Sequence, residues 1–360
     1  MEQVTTLKLK LYKPTQAKQE VYQTMAGRCT EFANTYLGLV KELRPRTSKQ
    51  AGEYSGPLPS AVLNQAIRDI CSKKKARKFK HLWPGFNSQN FRVEKEISQD
   101  GGAVWKASFP TLEKRVGVPV VVQPYQEKRL DRLLSGEARQ GTAYLVKKGG
   151  SWYIHLSMTV AVEQEQKPEK IMGVDLGLID LLVASVSGYT LFFPGGELAY
   201  VRRRYANLRR ELQKAGAHRA LKKLDDREHR WVTDVNHKIS RALIDFAITQ
   251  GATKIHLEDL TGVRWTKQQR RKQRKDPGRS LHSWAFYQLQ QFVEYKAALA
   301  GIAVEYVNRD KTSVACSRCG EVVESRPRGR WFICPRCKKI KHIDANAADN
   351  IAQAISGLAA

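Results

Sequence analysis

Acid is what this chain has too little of. Its 360 residues carry 35 Asp and Glu against 62 Lys and Arg, a formal charge of +27 and a pI near 9.9. An excess of that size repels itself in a compact state unless a polyanion neutralises it. Nucleic acid, gripped through its phosphates with release of counterions, is the partner this composition predicts. Long apolar runs are missing too. The N-terminal MEQVTTLKLKLYK has no apolar stretch of the signal-peptide kind, and the most apolar window, 177–196, is broken by Asp180, Pro194 and several glycines. That window fits a hairpin better than a membrane span, so a soluble, cytoplasmic protein with no membrane partner is expected. Cysteine is sparse: Cys29 and Cys71 stand alone and four more gather at 316–337. The clustering argues against a disulfide framework and for metal ligation in a reducing compartment. The hydrophobic share of 42% is ordinary, and the length predicts two or three domains with real cores.

Periodicity organises the rest. Residues 4–12 (VTTLKLKLY) alternate as a strand does, and from Thr15 to about Leu43 the residues Val21, Met25, Phe32, Tyr36 and Leu39 recur at helical spacing. Ser60 stands where a cap belongs for a helix running through ICSKKKARKF. From Trp83 the period changes. FRVEKEI, AVWKASF and VPVVV read as strands, and TAYLVKK-GG-SWYIHLSMTV (142–160) as a hairpin with a Gly-Gly turn. The polar, Pro-containing EQEQKPEK (163–170) is the expected domain boundary. Beyond it, IMGVDLGLI, LLVASVS and TLFF read as strands. A long basic helical region over 201–250, a strand ATKIHLEDL, a polybasic loop, a helix from Ser283 to Ala300 and a strand IAVEYVN follow. Strands alternating with helices predict a sheet flanked by helices.

Cys316-Ser-Arg-Cys319 and Cys334-Pro-Arg-Cys337 are C-x2-C pairs separated by 14 residues. Each pair closes a tight knuckle, and together they offer four thiolates to a tetrahedral Zn²⁺. A redox dithiol would need only one such pair. Four cysteine ligands leave no open coordination position, so the expected role is structural. The intervening GEVVESRPRGRWFI reads as two short strands around a Pro/Gly turn, and Arg318, Arg328, Arg330 and Arg336 give a small basic surface.

Three acids stand out against the basic background. Asp175 ends an apolar strand beside glycines, where an ionised carboxylate is costly unless it meets a cation. Glu258 ends KIHLEDL, with Ile255 and Leu257 alternating inward and His256 and Glu258 on the other face. Asp344 sits at or near the start of the helical NAADNIAQAI. Each has a plain alternative: a turn residue, a surface acid and a helix cap. Spacing alone does not show that the three meet.

At this point the chain resembles a known family. GVDLG, then NHKISRALIDFAITQGATKIHLEDL, then CSRCG, CPRC and DANAADNIAQAI resemble the three RuvC motifs and zinc ribbon of TnpB proteins. These are transposon-encoded, RNA-guided nucleases, and the miniature type V CRISPR effectors are their relatives. LPSAVLNQAI and WPGFNSQNFRV resemble weaker signatures of the family's N-terminal half. The resemblance covers essentially the whole chain and is specific from about Gly173 onward. It implies a multidomain chain of α/β and α+β class. A β-barrel wedge domain (1–13 and 83–166) would surround a helical recognition domain (14–82). An RNase H-like RuvC nuclease domain (167–311 and 340–360) would carry an inserted zinc ribbon (312–339). The resemblance further implies that Asp175, Glu258 and Asp344 converge as catalytic ligands of two Mg²⁺ ions, about 3.5–4 Å apart. Cys316, Cys319, Cys334 and Cys337 would hold structural Zn²⁺. Asp259 is the reserve carboxylate, on the opposite face of its strand. Where the family often places arginine directly before the third acid, this chain has Ile343.

The partners implied are a guide RNA, target double-stranded DNA and the displaced single strand, with base pairing choosing the target next to a short flanking DNA motif. Residues 202–230 suit a guide–target heteroduplex and 267–279 a lid over the site. Lys73, Lys74, Lys75, Arg77, Lys78 and Lys80, beside Phe79 and Trp83, suit phosphate tracking with aromatic stacking. Three readings stay open: an RNA-guided DNA endonuclease, an RNA-guided DNA-binding protein or repressor without cleavage, and a DNA transposase. Retention of all three carboxylates favours the first.

Overall fold

The computed structural model describes residues 2–73, 75–97, 103–161, 170–177, 179–259, 285–307, 312–325, 327 and 329–354. It divides into two compact units, Glu2–Ala161 and Val162–Ala360. The polybasic loop 267–279 and most of the expected linker 163–170 lie outside the described residues.

In the first unit, β1 (Glu2–Leu11) alternates strictly and buries Leu7, Leu9 and Leu11. Helix α1 (Gln16–Gly38) starts where the Thr15 hydroxyl accepts the Lys18 N–H at 3.4 Å and ends at Gly38, ahead of the expected end at about Leu43. After the short α2 (Ser48–Ala51) comes α3 (Ser60–Ser72). Here the sequence reading needs correction. Ser60 is the first helical residue rather than the cap, and the helix stops at Ser72 instead of running through the lysines. Packed like charges at 73–75 offer no apolar face to bury, so nothing extends the helix.

Then follow β2 (Gly85–Phe86), β3 (Arg92–Ile97), β4 (Ala103–Pro110), β5 (Arg115–Val121), α4 (Pro124–Leu134), β6 (Ala138–Lys148) and β7 (Ser151–Ala161). The hairpin read from the sequence is β6–β7, turning through Gly149 (φ +56°) and Gly150 (φ +77°). Positive φ at both central residues is what a type I′ turn requires, and glycine adopts it without strain. Helix α4 has no counterpart in the sequence reading, although its capping box (Gln123, Gln126) and Pro124 in the first turn were there to find.

The strands form one antiparallel sheet in the order β2-β6-β7-β1-β5-β4-β3. The expected β-barrel is therefore not closed. One edge is β2, two residues long, and the other is β3, whose RVEKEI exposes every residue but Val93. A charged edge resists pairing and stays a margin. Inside, the rings of Tyr22 and Trp152 meet edge-on at 5.5 Å, and those of Phe86 and Phe109 lie 5.2 Å apart.

In the second unit the elements are β8 (Ile171–Asp175), β9 (Asp180–Val186), β10 (Tyr189–Pro194), α5 (Gly196–Lys214), α6 (His218–Thr249), β11 (Lys254–Glu258), α7 (Phe286–Leu299), β12 (Ala303–Val307), β13 (Trp331–Ile333), β14 (Ile340–His342) and α8 (Ile343–Gln353). The five-stranded sheet runs β10-β9-β8-β11-β12: an antiparallel meander at one side, parallel β8, β11 and β12 at the other. All five residues of β11 but the first are buried, because both faces are covered. One face packs Met172, Val174, Ile255 and Leu257 against Leu243 of α6 and Leu289 and Val293 of α7. The other carries α8, where Ala345 and Ala348 meet Val183. That helix lies so close that a Cβ on Gly173 would collide with the Ala348 carbonyl oxygen and the Ala352 nitrogen. Only glycine lets the two backbones approach in this way.

Between the knuckles a single strand forms among the described residues, rather than two. β13 pairs with β14, which follows the second knuckle, while Val322 makes an isolated bridge to Ala315. No helix among the described residues is long and apolar enough to cross a membrane.

Candidate metal centres

The four clustered cysteines come together. Their Sγ atoms all lie within 4.8 Å of one another, with Cys316–Cys337 and Cys319–Cys334 each 3.6 Å apart. Tetrahedral zinc with bonds of about 2.3 Å needs sulfurs about 3.8 Å apart, so the thiols match a zinc centre with almost no movement. Two tight turns set this spacing: Gly320 N–H donates to Cys316 O at 2.9 Å and Lys338 N–H to Cys334 O at 3.1 Å. Their last residues adopt the left-handed conformation, Gly320 at φ +75° and Lys338 at φ +57°. Phe332 is fully buried against Cys316 and Cys334 and supplies the small core of the cluster.

The carboxylates gather by topology. In the parallel register His256 pairs with Gly173 and Leu257 with Val174, so Glu258 and Asp175 end neighbouring strands side by side. Asp175 shares a face with Gly173, and Glu258 with His256. That face is the one under α8, since Gly173 touches its backbone and His256 Nδ1 lies 3.0 Å from the Ile351 oxygen. The helix runs antiparallel to β8. Asp349 bonds Ser185, which pairs with Gly173, whereas Ala345 packs on Val183, which pairs with Asp175. Asp344 therefore starts α8 at the end of the sheet where Asp175 and Glu258 stand. Glu258 and Asp344 are buried and Asp175 is partly buried, while Asp259, one residue past the end of β11, is exposed.

The helix cap is His342, not Asp344. The His342 side chain is placed to accept the Asp344 N–H at 3.3 Å, and Asp344 belongs to the first helical turn. A carboxylate there faces the positive end of the helix. His342 Nε2 also lies 3.1 Å from Arg330 Nε and 3.8 Å from Asp180 Oδ2. A neutral imidazole accepts at one nitrogen only, so one tautomer cannot serve both Arg330 and the Asp344 N–H. Asp180, only 3% exposed, is paired with the Arg330 guanidinium. Asp180, His342 and Asp344 offer ligand atoms that all lie within 4.8 Å of one another. The guanidinium on Asp180 already supplies the positive charge that buried acid requires. Neither Asp180 nor His342 stood out in the sequence, since 162 residues separate them and no local spacing links them.

Two further sets of residues tie the site to its surroundings. Thr312 Oγ1 donates to Glu258 Oε1 at 3.0 Å. Asp349 receives Ser185 and Lys341; burial pushes its carboxyl up, and these hydrogen bonds more than offset the push, holding it below the ordinary range.

The basic segments sort differently from the sequence reading. In α5, Arg202 and Arg209 turn inward onto the buried Glu228, while Arg203, Arg204 and Arg210 are exposed. Phe79 is 5% exposed, with its backbone held by Asn34. It belongs to the core and is no stacking platform. Trp83 is partly buried and stacks on His81 at 5.5 Å. Lys73, Lys75, Arg77, Lys78 and Lys80 are exposed around them, and Lys74 and Arg328 lie outside the described residues.

Comparison with known proteins follows this geometry. A family model described as Cas12f1-like, TNB domain, matches residues 286–351, and one described as Probable transposase (OrfB_IS605) matches 155–264. A CRISPR-associated endodeoxyribonuclease Cas12f1 of Sulfoacidibacillus thermotolerans is 29% identical over 67% of this chain, an alignment spanning 60% of its own length. A TnpB-like protein of Methanocaldococcus jannaschii is 29% identical over 66% of this chain and 86% of its own. Among solved structures, a Cas12f1–sgRNA–target DNA complex has a protein chain that superposes with a TM-score of 0.68 at 15% identity. That match covers 98% of this chain and 99% of the other, and shows a shared fold. The resemblance read in the sequence holds: the chain is similar both to TnpB-like proteins and to Cas12f1 proteins.

Proposed function

We propose that this relative of the TnpB-like proteins and Cas12f effectors is an RNA-guided DNA endonuclease. It would hydrolyse phosphodiester bonds with Mg²⁺ held by Asp175, Glu258 and Asp344. The single observation that supports the reading is the strand register that ends Asp175 and Glu258 side by side, with α8 starting at that end of the sheet, in a chain of charge +27. The Cas12f1 relatives are endodeoxyribonucleases by name, and the structural neighbour holds guide RNA and target DNA. These partners, with the displaced strand, are proposed here too. Residues 167–311 and 340–360 would be an RNase H-like RuvC domain and 312–339 a zinc ribbon. Residues 1–13 and 83–166 would be the wedge domain, built as an open sheet around recognition helices at 14–82.

Hard divalent ions suit three carboxylates, as soft zinc suits four thiolates. Bound at the carboxylates, Mg²⁺ would activate water and stabilise the leaving 3′ oxygen. The chain's own part is positioning. Strands β8 and β11 fix Asp175 and Glu258 in register, the Thr312 hydroxyl holds one oxygen of Glu258, and α8 presents Asp344 from its positive end. The exposed arginines of α5 would grip the backbone of the guide–target duplex. Asp175→Ala should abolish cleavage of guided target DNA in Mg²⁺ while binding of guide and target survives. A variant that still cuts would overturn the assignment. A wild type that binds guided target but never cuts it, with or without Mg²⁺, would favour a repressor.

A further inference from the structure

The helix that carries Asp344 has a second, polar stripe: Asn346, Asp349, Asn350 and Gln353, spaced to share one side of α8. It grips the segment leading into the first cysteine knuckle. Asn346, fully buried, accepts the Ser317 N–H at 3.0 Å and donates to the Ala315 carbonyl at 2.6 Å. Asn350 donates to the carbonyls of Ala315 and Thr312, both at 2.8 Å. Gln353 donates to the Ser317 carbonyl at 3.2 Å, and the Ser317 hydroxyl donates to Asp349 at 3.0 Å. Thus Thr312–Ser317 is held by side chains reaching its backbone. At one end its Thr312 hydroxyl holds Glu258; at the other it contains Cys316, a member of the four-thiol cluster.

We propose that Thr312–Ser317 is a positioning strut that couples the zinc cluster to the carboxylate site: Thr312 sets Glu258, Asn346 and Asn350 set the helix of Asp344 against the same segment, and zinc on Cys316 fixes the far end. This deepens the nuclease reading and rests on it. Thr312, Asn346 and Asn350 are positioning residues, and they act on divalent-ion affinity. Groups that orient metal ligands typically alter affinity by about 10–100-fold when removed. Zinc loading accordingly raises affinity for the divalent ion at the carboxylates, so zinc works on the cleavage site as well as on the fold of its own knuckles.

The test uses the full chain bound to guide RNA and target DNA and reads Mn²⁺ binding by electron paramagnetic resonance, alongside zinc content and guided DNA binding. Thr312→Val, nearly isosteric but without the hydroxyl, is expected to weaken Mn²⁺ binding about tenfold, with zinc content and DNA binding unchanged. Thr312→Ser, which keeps the hydroxyl, restores it. Partial zinc removal weakens Mn²⁺ binding in the wild type and adds nothing further in Thr312→Val. Mn²⁺ binding that needs Asp175 but ignores both Thr312→Val and zinc removal overturns the strut alone. Mn²⁺ binding that ignores Asp175→Ala overturns the nuclease reading and the strut with it.

Discussion

The cysteine cluster and the carboxylate end of the sheet are both candidate ion sites, built in opposite ways. The thiols sit on two tight turns close in sequence, and their sulfurs stand paired at 3.6 Å before any ion is considered. The carboxylates come from β8, β11 and α8, and only the sheet register and the docking of α8 bring them to the same end of the sheet. Local turns assemble the first site; the folded sheet assembles the second. Damage to one should therefore look different from damage to the other.

The largest contrast lies between Cys334→Ser and Asp175→Ala. Structural zinc contributes on the order of 10 kcal/mol to small metal-dependent modules. Cys334→Ser is expected to lower bound zinc from one per chain to near zero and to make the segment around 316–337 sensitive to protease. Asp175→Ala should leave thermal stability within about 1 kcal/mol of wild type, and cleavage alone should vanish. Elemental analysis, limited proteolysis and a melting curve separate the two.

Next comes the contact on which the carboxylate end depends. Gly173→Ala drives a methyl into the backbone of α8, so a loss of about 3 kcal/mol or more is expected, with cleavage lost because Asp344 moves with the helix. Gly85 in the other sheet is the control. An added Cβ there meets the side chains of Gln65 and Tyr144, at 2.6 and 2.9 Å, and side chains yield more easily than backbone. Gly85→Ala should cost less in chemical denaturation and leave divalent-ion affinity alone.

A pH experiment probes the face of the sheet away from α8. Burial pulls the Lys296 ammonium down to about 8, while it donates to the His237 carbonyl at 2.7 Å and the Ser240 hydroxyl at 2.6 Å. Between pH 8 and the ordinary lysine range near 10.5 the unfolded chain holds the extra proton, so stability rises with pH across that window. The gain is on the order of 1–3 kcal/mol and disappears in Lys296→Met, as urea denaturation at several pH values will show. The smallest effect is expected on α5. Arg203→Ala should weaken guided DNA binding a few-fold at low salt, reduce its salt dependence and leave melting unchanged. Arg209→Ala should lower the melting temperature, because it leaves the buried Glu228 with Arg202 alone.

How much was legible in the sequence follows the same division. The cysteine cluster was legible because both knuckles are short and each fixes its own geometry. Asp175, Glu258 and Asp344 could be named from apolar strands and a helix start, but their sharing one end of the sheet depends on strand register and on Gly173, which spacing does not encode. The network of Asp180, Arg330 and His342 left no trace, since Arg330 reaches back 150 residues to Asp180. The polar stripe of α8 was in view as NAADNIAQ and drew no reading of its own, because a residue that bonds backbone carbonyls looks in sequence like one that bonds water. The closed barrel failed on its edges, where β2 is too short and β3 too charged to pair. Phe79 failed as a stacking partner because a ring beside lysines in sequence can still be buried in the core.

Two sets of acids compete for a divalent ion at this end of the sheet: Asp175 and Glu258 with Asp344, or Asp180 with Asp344 and His342. Anomalous diffraction at the manganese edge, from the chain bound to guide and target and soaked in Mn²⁺, tests this most directly. Manganese is expected to be ligated by Asp175, Glu258 and Asp344, with Arg330 still paired to Asp180. Manganese held by Asp180, His342 and Asp344, with Arg330 displaced and Asp175 and Glu258 unengaged, would contradict it.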